Sequence, residues 1–237
     1  MRDVIEAPSI PRIDVRGGGT FPVRRIFCVG RNFADHAREM GAAAPASKAE
    51  RGTPVFFHKP ADAIVTGGRV DYPPATRNLH HEVELVVALG RDAPDGVLPV
   101  ADAGSLVFGY AVGLDLTRRD LQAAAKAKGL PWDTAKGFDQ SAPVSDIVPA
   151  AEVGELAPRR LSLEVNGALR QDSRLDQLIW DVPEILHELS RLYALRAGDL
   201  VFMGTPAGVS ALQPGDACVA RLDDVLELRC QLQARPA

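Results

Sequence analysis

The sequence predicts an α+β fold that is mostly strand, with a few short helices, in one domain behind an N-terminal arm. Three observations carry that expectation. Short apolar runs, several rich in β-branched residues, crowd the chain from residue 54 onward and read as strands. Helical patterns are few and do not alternate regularly with the strands, which argues against a doubly wound sheet. The chain shows no internal repeat, no Gly-x-Gly-x-x-Gly and no Walker pattern.

Residues 1–22 are rich in Pro, Gly and Arg and read as an extended arm, with Arg16-Gly17-Gly18-Gly19-Thr20 as its flexible joint. A strand follows at Arg25–Val29. Residues 30–41 read as a short helix, with Asn32 as N-cap and Gly41 closing the end. Residues 42–53 bury little and suit a mobile loop over a site or a plain surface loop. The later strand candidates are Pro54–His58, Glu82–Leu89, Leu106–Leu114, Leu161–Val165, Leu200–Met203, Ala217–Leu222 and Val225–Leu232. Asn166-Gly167 is a hairpin turn signal. Thr117-Arg118-Arg119-Asp120 resembles a capping box and opens a helix to Gly129. Pro183–Leu189 begins another helix, with Pro in its first turn and an apolar stripe.

The bulk properties narrow the function classes. The 237 residues are 46% hydrophobic and 24% charged, enough for a sizeable core. A net charge of -4 argues against a nucleic-acid binder. No apolar run is long enough to span a bilayer, and the N-terminus lacks the apolar core of a signal peptide. Cys28, Cys218 and Cys230 suit reduced, buried thiols in a cytoplasmic protein.

The chemistry concentrates at His81-Glu82-Val83-Glu84-Leu85-Val86-Val87. On a strand, Glu82 and Glu84 project to one face, and two like charges in an apolar setting call for a cation between them. The simpler alternative is a solvated strand edge. Asp115, at the end of Val112-Gly113-Leu114, is the candidate third ligand; a helix-dipole partner is its alternative reading. Three carboxylates would leave about half of an octahedral shell open for water and substrate. Arg119 and Gln122 share a helix face and suit a substrate carboxylate, although Arg119 also reads as a surface residue paired with an acid. His36 and Glu39, three apart, make a plausible general base or an exposed ion pair, and the carboxylate is expected to raise the imidazole pKa. His80 and His81 read as structural or supporting residues. Lys136 would stabilise developing negative charge, unless it is an ordinary surface lysine. Gly204-Thr205-Pro206-Ala207-Gly208 suits an anion-contacting loop or a plain turn.

Together, Cys28–His36, Thr76–Glu84, Gly113–Gln122, Trp132–Lys136 and Gly204-Thr205-Pro206 resemble the fumarylacetoacetate hydrolase family, in order and in spacing. The resemblance implies a mixed β-roll or β-sandwich for residues 23–237, outside the arm at 1–22, and usually a homodimer. It implies one Mg2+ or Mn2+ held by Glu82, Glu84 and Asp115. It implies a catalytic set of His36, Glu39 and Lys136, with Arg31, Arg119, Gln122 and Thr205 as substrate contacts. The segments Phe56–Ala63 and Arg118–Gln122 look most like hydrolases that cleave fumarylpyruvate in gentisate breakdown. The expected substrate is therefore a 2,4-diketo acid such as 3-fumarylpyruvate. An acylpyruvase, an oxaloacetate decarboxylase or tautomerase, and a 2-keto-3-deoxy sugar acid dehydratase are the alternatives the family offers.

Overall fold

Two mixed sheets meet across the larger apolar core in the computed structural model, which describes residues 4–39, 41, 45 and 47–235. The six-stranded sheet runs Val148–Pro149, Val107–Leu114, Val83–Leu89, Asp199–Phe202, Arg25–Gly30, Val55–Lys59. Its neighbours are antiparallel except Arg25–Gly30 with Asp199–Phe202. The five-stranded sheet runs Ala168–Arg174, Arg160–Val165, Ala217–Leu222, Leu226–Gln233, Arg69–Asp71, with only the last pair parallel. The fold is thus mostly β with short helices, as the sequence predicts.

Parity along Val83–Leu89 sorts its side chains. Val83, Leu85, Val87 and Leu89 enter the larger core, which they share with Leu161, Leu163 and Leu228 of the other sheet. Val86 and Ala88 face a smaller cluster with Ile26, Cys28, Leu200 and Phe202. The whole strand is buried, so it reads as a continuous apolar run rather than an alternating one. Asp199 ties the central parallel pair together: buried itself, it accepts hydrogen bonds from Arg24 and Arg25 at 2.9–3.0 Å.

Several local expectations are corrected. From Arg12 to Pro22 the N-terminal segment is not a free extended arm; residues 4–10 before it are exposed and carry no regular structure. Arg12–Asp14 pairs with Thr20–Pro22 as a hairpin, and Ile13, Phe21 and Val23 are buried in the smaller cluster. The apolar side chains at alternate positions drive this, and Gly17, Gly18 and Gly19 make the turn rather than a free joint. Asn32 does not cap the helix, which spans Ala34–Glu39; its side chain is spent on Trp180 and Met203. Thr117 does not cap the next helix either. It lies in a short strand, and the helix spans Arg119–Ala127 without a side-chain cap.

The Pro183 helix spans Val182–Ser190 and carries a full capping box between Asp181 and Glu184. Asn166 and Gly167 form their turn with φ of 52° and 76°, the left-handed pair that a tight hairpin demands. Residues 42–44 and 46 of the expected loop lie outside the described residues. Its other end is anchored: Arg51 stacks 3.6 Å from the Trp180 ring centroid and grips Glu184 with two hydrogen bonds of 2.9 Å.

Gly113 sits where packing across the sheet leaves no room for a side chain. A Cβ there would lie 2.8 Å from the Phe202 ring and 2.9 Å from Val86. Gly113→Ala is expected to lower stability by about 1–3 kcal/mol through overpacking, read from urea or thermal unfolding.

Candidate active site

The strand pairing that builds the large sheet also gathers three carboxylates. Glu82 immediately precedes Val83–Leu89 and Glu84 lies within it, so both face one side. Asp115 follows the neighbouring strand Val107–Leu114, where Gly113 stands opposite Glu84. The Asp115 N–H donates to the Glu82 carbonyl at 2.8 Å, which closes the corner. One oxygen from each of Glu82, Glu84 and Asp115 lies within 4.8 Å of the others, and the residues are only 4%, 2% and 0% exposed. The solvated-edge alternative is therefore excluded.

Cationic side chains answer this charge. Lys136, buried on the short helix Asp133–Lys136, donates to Glu82 at 2.8 Å, to Asp115, and to the Thr117 hydroxyl at 2.7 Å. Arg119 bonds Glu82 and Gln122. Lys59, also buried, donates to the carbonyls of Leu116 and Lys136 and sits 2.9 Å from Asp115 Oδ1. That approach is off the line of a hydrogen bond, and no donor is aimed at Asp115 Oδ1. Lys136 is therefore no surface lysine, and Arg119 pairs with Glu82 rather than with Asp120, whose carboxylate binds Thr76 and Arg77.

The compensation is uneven. Burial alone would raise the Glu82 pKa, but Lys136 and Arg119 hold the carboxyl well below the usual range. Burial, then the charges of Asp115 and Glu82, push the Glu84 carboxyl well above it. Burial opposes charge on Lys136, yet Asp115 and Glu82 raise its ammonium above the ordinary value. A hard divalent cation suits this donor set: all oxygen, buried, with the Glu84 carboxyl pKa raised by burial and its acidic neighbours and one Asp115 oxygen without a hydrogen bond.

His36 and Glu39 do meet, with Nδ1 3.2 Å from Oε2. A carboxylate only accepts, so Nδ1 donates and Nε2 keeps its lone pair. The expected rise in the imidazole pKa does not occur. Burial lowers it below the ordinary value despite Glu82 and Glu39, which leaves a neutral base. Glu39 also accepts from the Gly208 N–H at 3.1 Å. Gly208 has φ of 98°, and a Cβ there would run into the Arg170 carbonyl, so only glycine brings this amide to Glu39. Gly204 likewise has φ of 91° and donates its N–H to Glu84 at 2.7 Å.

Thr205 is buried and accepts from Gln171 at 2.8 Å. Gln171 also donates to the Pro206 carbonyl and accepts from His81 and the Val83 N–H, locking this loop to the start of the acidic strand. His81 thus has a supporting place, and His80 lies against Arg119.

One cavity collects these groups. It is lined by His36, Glu82, Glu84, Asp115, Arg119, Gln122, Lys136 and Thr205, with Arg31 at its edge. Of the residues named from the sequence as metal ligands, catalytic groups or substrate contacts, Glu39 alone is not among its lining, and it meets His36 at Nδ1. Sequence reasoning missed Lys59, Lys126, Phe57, Trp132 and Gln171. A signal existed for Lys126, which follows Arg119 and Gln122 at helical spacing. None existed for Gln171, whose partners are distant in sequence.

The fumarylacetoacetate (FAA) hydrolase C-terminal family model matches residues 25–233. The chain is 42% identical to the mitochondrial oxaloacetate tautomerase FAHD1 of Rattus norvegicus over 211 residues, which is 89% of this chain and 92% of that protein. It is 43% identical to a fumarylpyruvate hydrolase of a Ralstonia species over 173 residues, 73% of this chain and 88% of that one. The crystal structure of fumarylpyruvate hydrolase from Pseudomonas aeruginosa in complex with Mn2+ and pyruvate superposes with a TM-score of 0.92 at 44% identity, covering 99% of this chain and 100% of that one.

Mn2+ at about 100 times its dissociation constant is expected to stabilise the fold by about 2.7 kcal/mol. For a domain of this size that is roughly 5–10 °C in Tm. Glu84→Gln should keep the Tm of the metal-free protein, because the amide is nearly isosteric and its oxygen can still accept from the Gly204 N–H, and should lose the Mn2+ shift. Differential scanning calorimetry with and without EDTA reads both.

Proposed function

The chain belongs to the fumarylacetoacetate hydrolase family, and on that premise we propose that it hydrolyses a carbon–carbon bond of a 2,4-diketo acid, 3-fumarylpyruvate, to fumarate and pyruvate. The observation that carries this reading is the buried Glu82–Glu84–Asp115 cluster, set in one cavity with His36 and backed by Glu39. The match to a fumarylpyruvate hydrolase bound to Mn2+ and pyruvate supports it.

Glu82, Glu84 and Asp115 would hold one Mg2+ or Mn2+, which when bound supplies Lewis-acid polarisation of the keto-acid oxygens. Arg119, Gln122 and Thr205 orient the 2-keto acid end. His36 Nε2, neutral because it is buried, takes a proton from water as the water oxygen bonds to C4. Glu39 steadies the imidazolium that forms. The C3–C4 bond then breaks, and its electron pair passes to the 2-keto oxygen as pyruvate enolate. Lys136 donates to that oxygen. The imidazolium returns its proton to C3, and fumarate leaves with the oxygen from water.

A second reading has its own support in the 42% identity to an oxaloacetate tautomerase. With oxaloacetate in the cavity, the same residues would assist loss of CO2 or proton transfer at C3, and no water would be consumed. We place the enzyme as a cytoplasmic homodimer serving aromatic-compound catabolism of the gentisate type.

His36→Ala is expected to lower kcat for fumarylpyruvate hydrolysis by about 10²–10⁴, while the Mn2+-induced rise in Tm stays. Unchanged turnover would refute the base assignment. In wild type, kcat/KM for pyruvate release should be higher from fumarylpyruvate than from oxaloacetate; the reverse order would transfer the assignment to the second reading.

A further inference from the structure

The cavity has a cationic pole opposite its acidic one. Arg119, Gln122 and Lys126 are spaced i, i+3, i+7 on the helix Arg119–Ala127, and all three line the cavity. At ~1.5 Å of rise per residue, Lys126 stands about 10 Å along the axis from Arg119. The first two residues of this stripe are engaged, Arg119 with Glu82 and Gln122 with Arg119. Among the described residues, Lys126 makes no ion pair; its ammonium lies 5.1 Å from the Trp132 ring centroid. Arg31 lines the same cavity from a left-handed backbone position, φ 60°, close enough for its charge, with that of Arg119, to add to burial in lowering the Lys126 pKa. Between the poles stand two aromatic walls, Trp132 and Phe57, with ring centroids 6.1 Å apart.

We infer that Lys126 is a specificity-determining residue: its ammonium, with Arg31 beside it, receives the distal carboxylate of a dicarboxylic substrate whose acyl chain runs along Trp132 and Phe57. The inference rests on the reading that the 2-keto acid end sits at the acidic pole. Chain length supports it. At ~1.5 Å per bond in zigzag, the seven carbons of 3-fumarylpyruvate span about 7–8 Å between carboxyl carbons. With a hydrogen bond at each end the reach is about 14 Å between donor nitrogens, of the same order as the path from the Lys136 ammonium to that of Lys126 over Phe57 and Trp132, in steps of 4.9, 6.1 and 5.1 Å. The four carbons of oxaloacetate span roughly half as much between carboxyl carbons and fall about 4 Å short of that reach. A half-buried lysine without a carboxylate partner is also costly to desolvate, and an incoming carboxylate relieves that cost.

The test pairs two ligands that cannot be hydrolysed for want of a 4-keto group. 2-Oxopimelate carries a distal carboxylate, and 2-oxoheptanoate has the same carbon count with a methyl end. Calorimetric titration of the Mn2+-loaded wild type should show 2-oxopimelate binding at least tenfold tighter. Lys126→Met should reduce that ratio to below threefold by weakening 2-oxopimelate alone, and Lys126→Arg should restore most of it. A ratio unaltered in Lys126→Met, equal weakening of both ligands, or no preference in wild type would each overturn the inference. Fumarylpyruvate turnover is measured in parallel. If it is absent while the binding preference and its loss are seen, the hydrolase reading fails and the role of Lys126 stands. Turnover without the preference removes that role and leaves the hydrolase reading in place.

Discussion

Three carboxylates held in one small buried volume repel each other, and much of the surrounding structure answers that repulsion. Strand parity puts Glu82 and Glu84 on one side, and strand pairing brings Asp115 to them. Lys136, Arg119 and Lys59 then converge from three different elements. Even so, the compensation is uneven: Lys136 and Arg119 hold Glu82, while Glu84 is met by the Gly204 N–H. A buried, all-oxygen donor set of this kind is suited to a dication and, after it, to an anionic substrate.

The His36 side of the cavity is built on the same economy of backbone. Glu39 reaches the Gly208 amide, and Glu84 reaches the Gly204 amide, so one glycine-bearing loop touches both the His36–Glu39 pair and the acidic cluster. Gln171 fastens that loop to the start of the acidic strand. These links set the imidazole and the carboxylates in fixed relation, which the proposed proton transfer beside a developing charge requires.

Much of this was legible in the sequence because it depends on short-range periodicity. Two acids two residues apart on an apolar strand, and His36 and Glu39 three apart on a helix, declare their shared faces directly. The aggregated match in motif order also indicated the family and the mixed β fold. What failed was competition for polar side chains. Asn32 and Thr117 have the right chemistry for caps, but other partners claimed them first: the distant Trp180 and Met203 for one, Lys136 and the nearby Asp115 carbonyl for the other. Likewise, desolvation outweighed the local carboxylate at His36, a contest that spacing alone does not reveal. Lys59 was invisible for the same reason, since nothing local marks a lysine as destined for the interior.

The strict alternation along Val83–Leu89 has a consequence for how this chain tolerates insertions and deletions. Losing or gaining one residue inside the acidic strand would rotate the residues on one side of the change by half a period, carrying the charged positions toward the packing layer filled by Leu85 and Val87. The exposed connection around Arg91–Val97 carries no such phase. Length drift among descendants of this sequence should therefore collect in such connections and spare the strand.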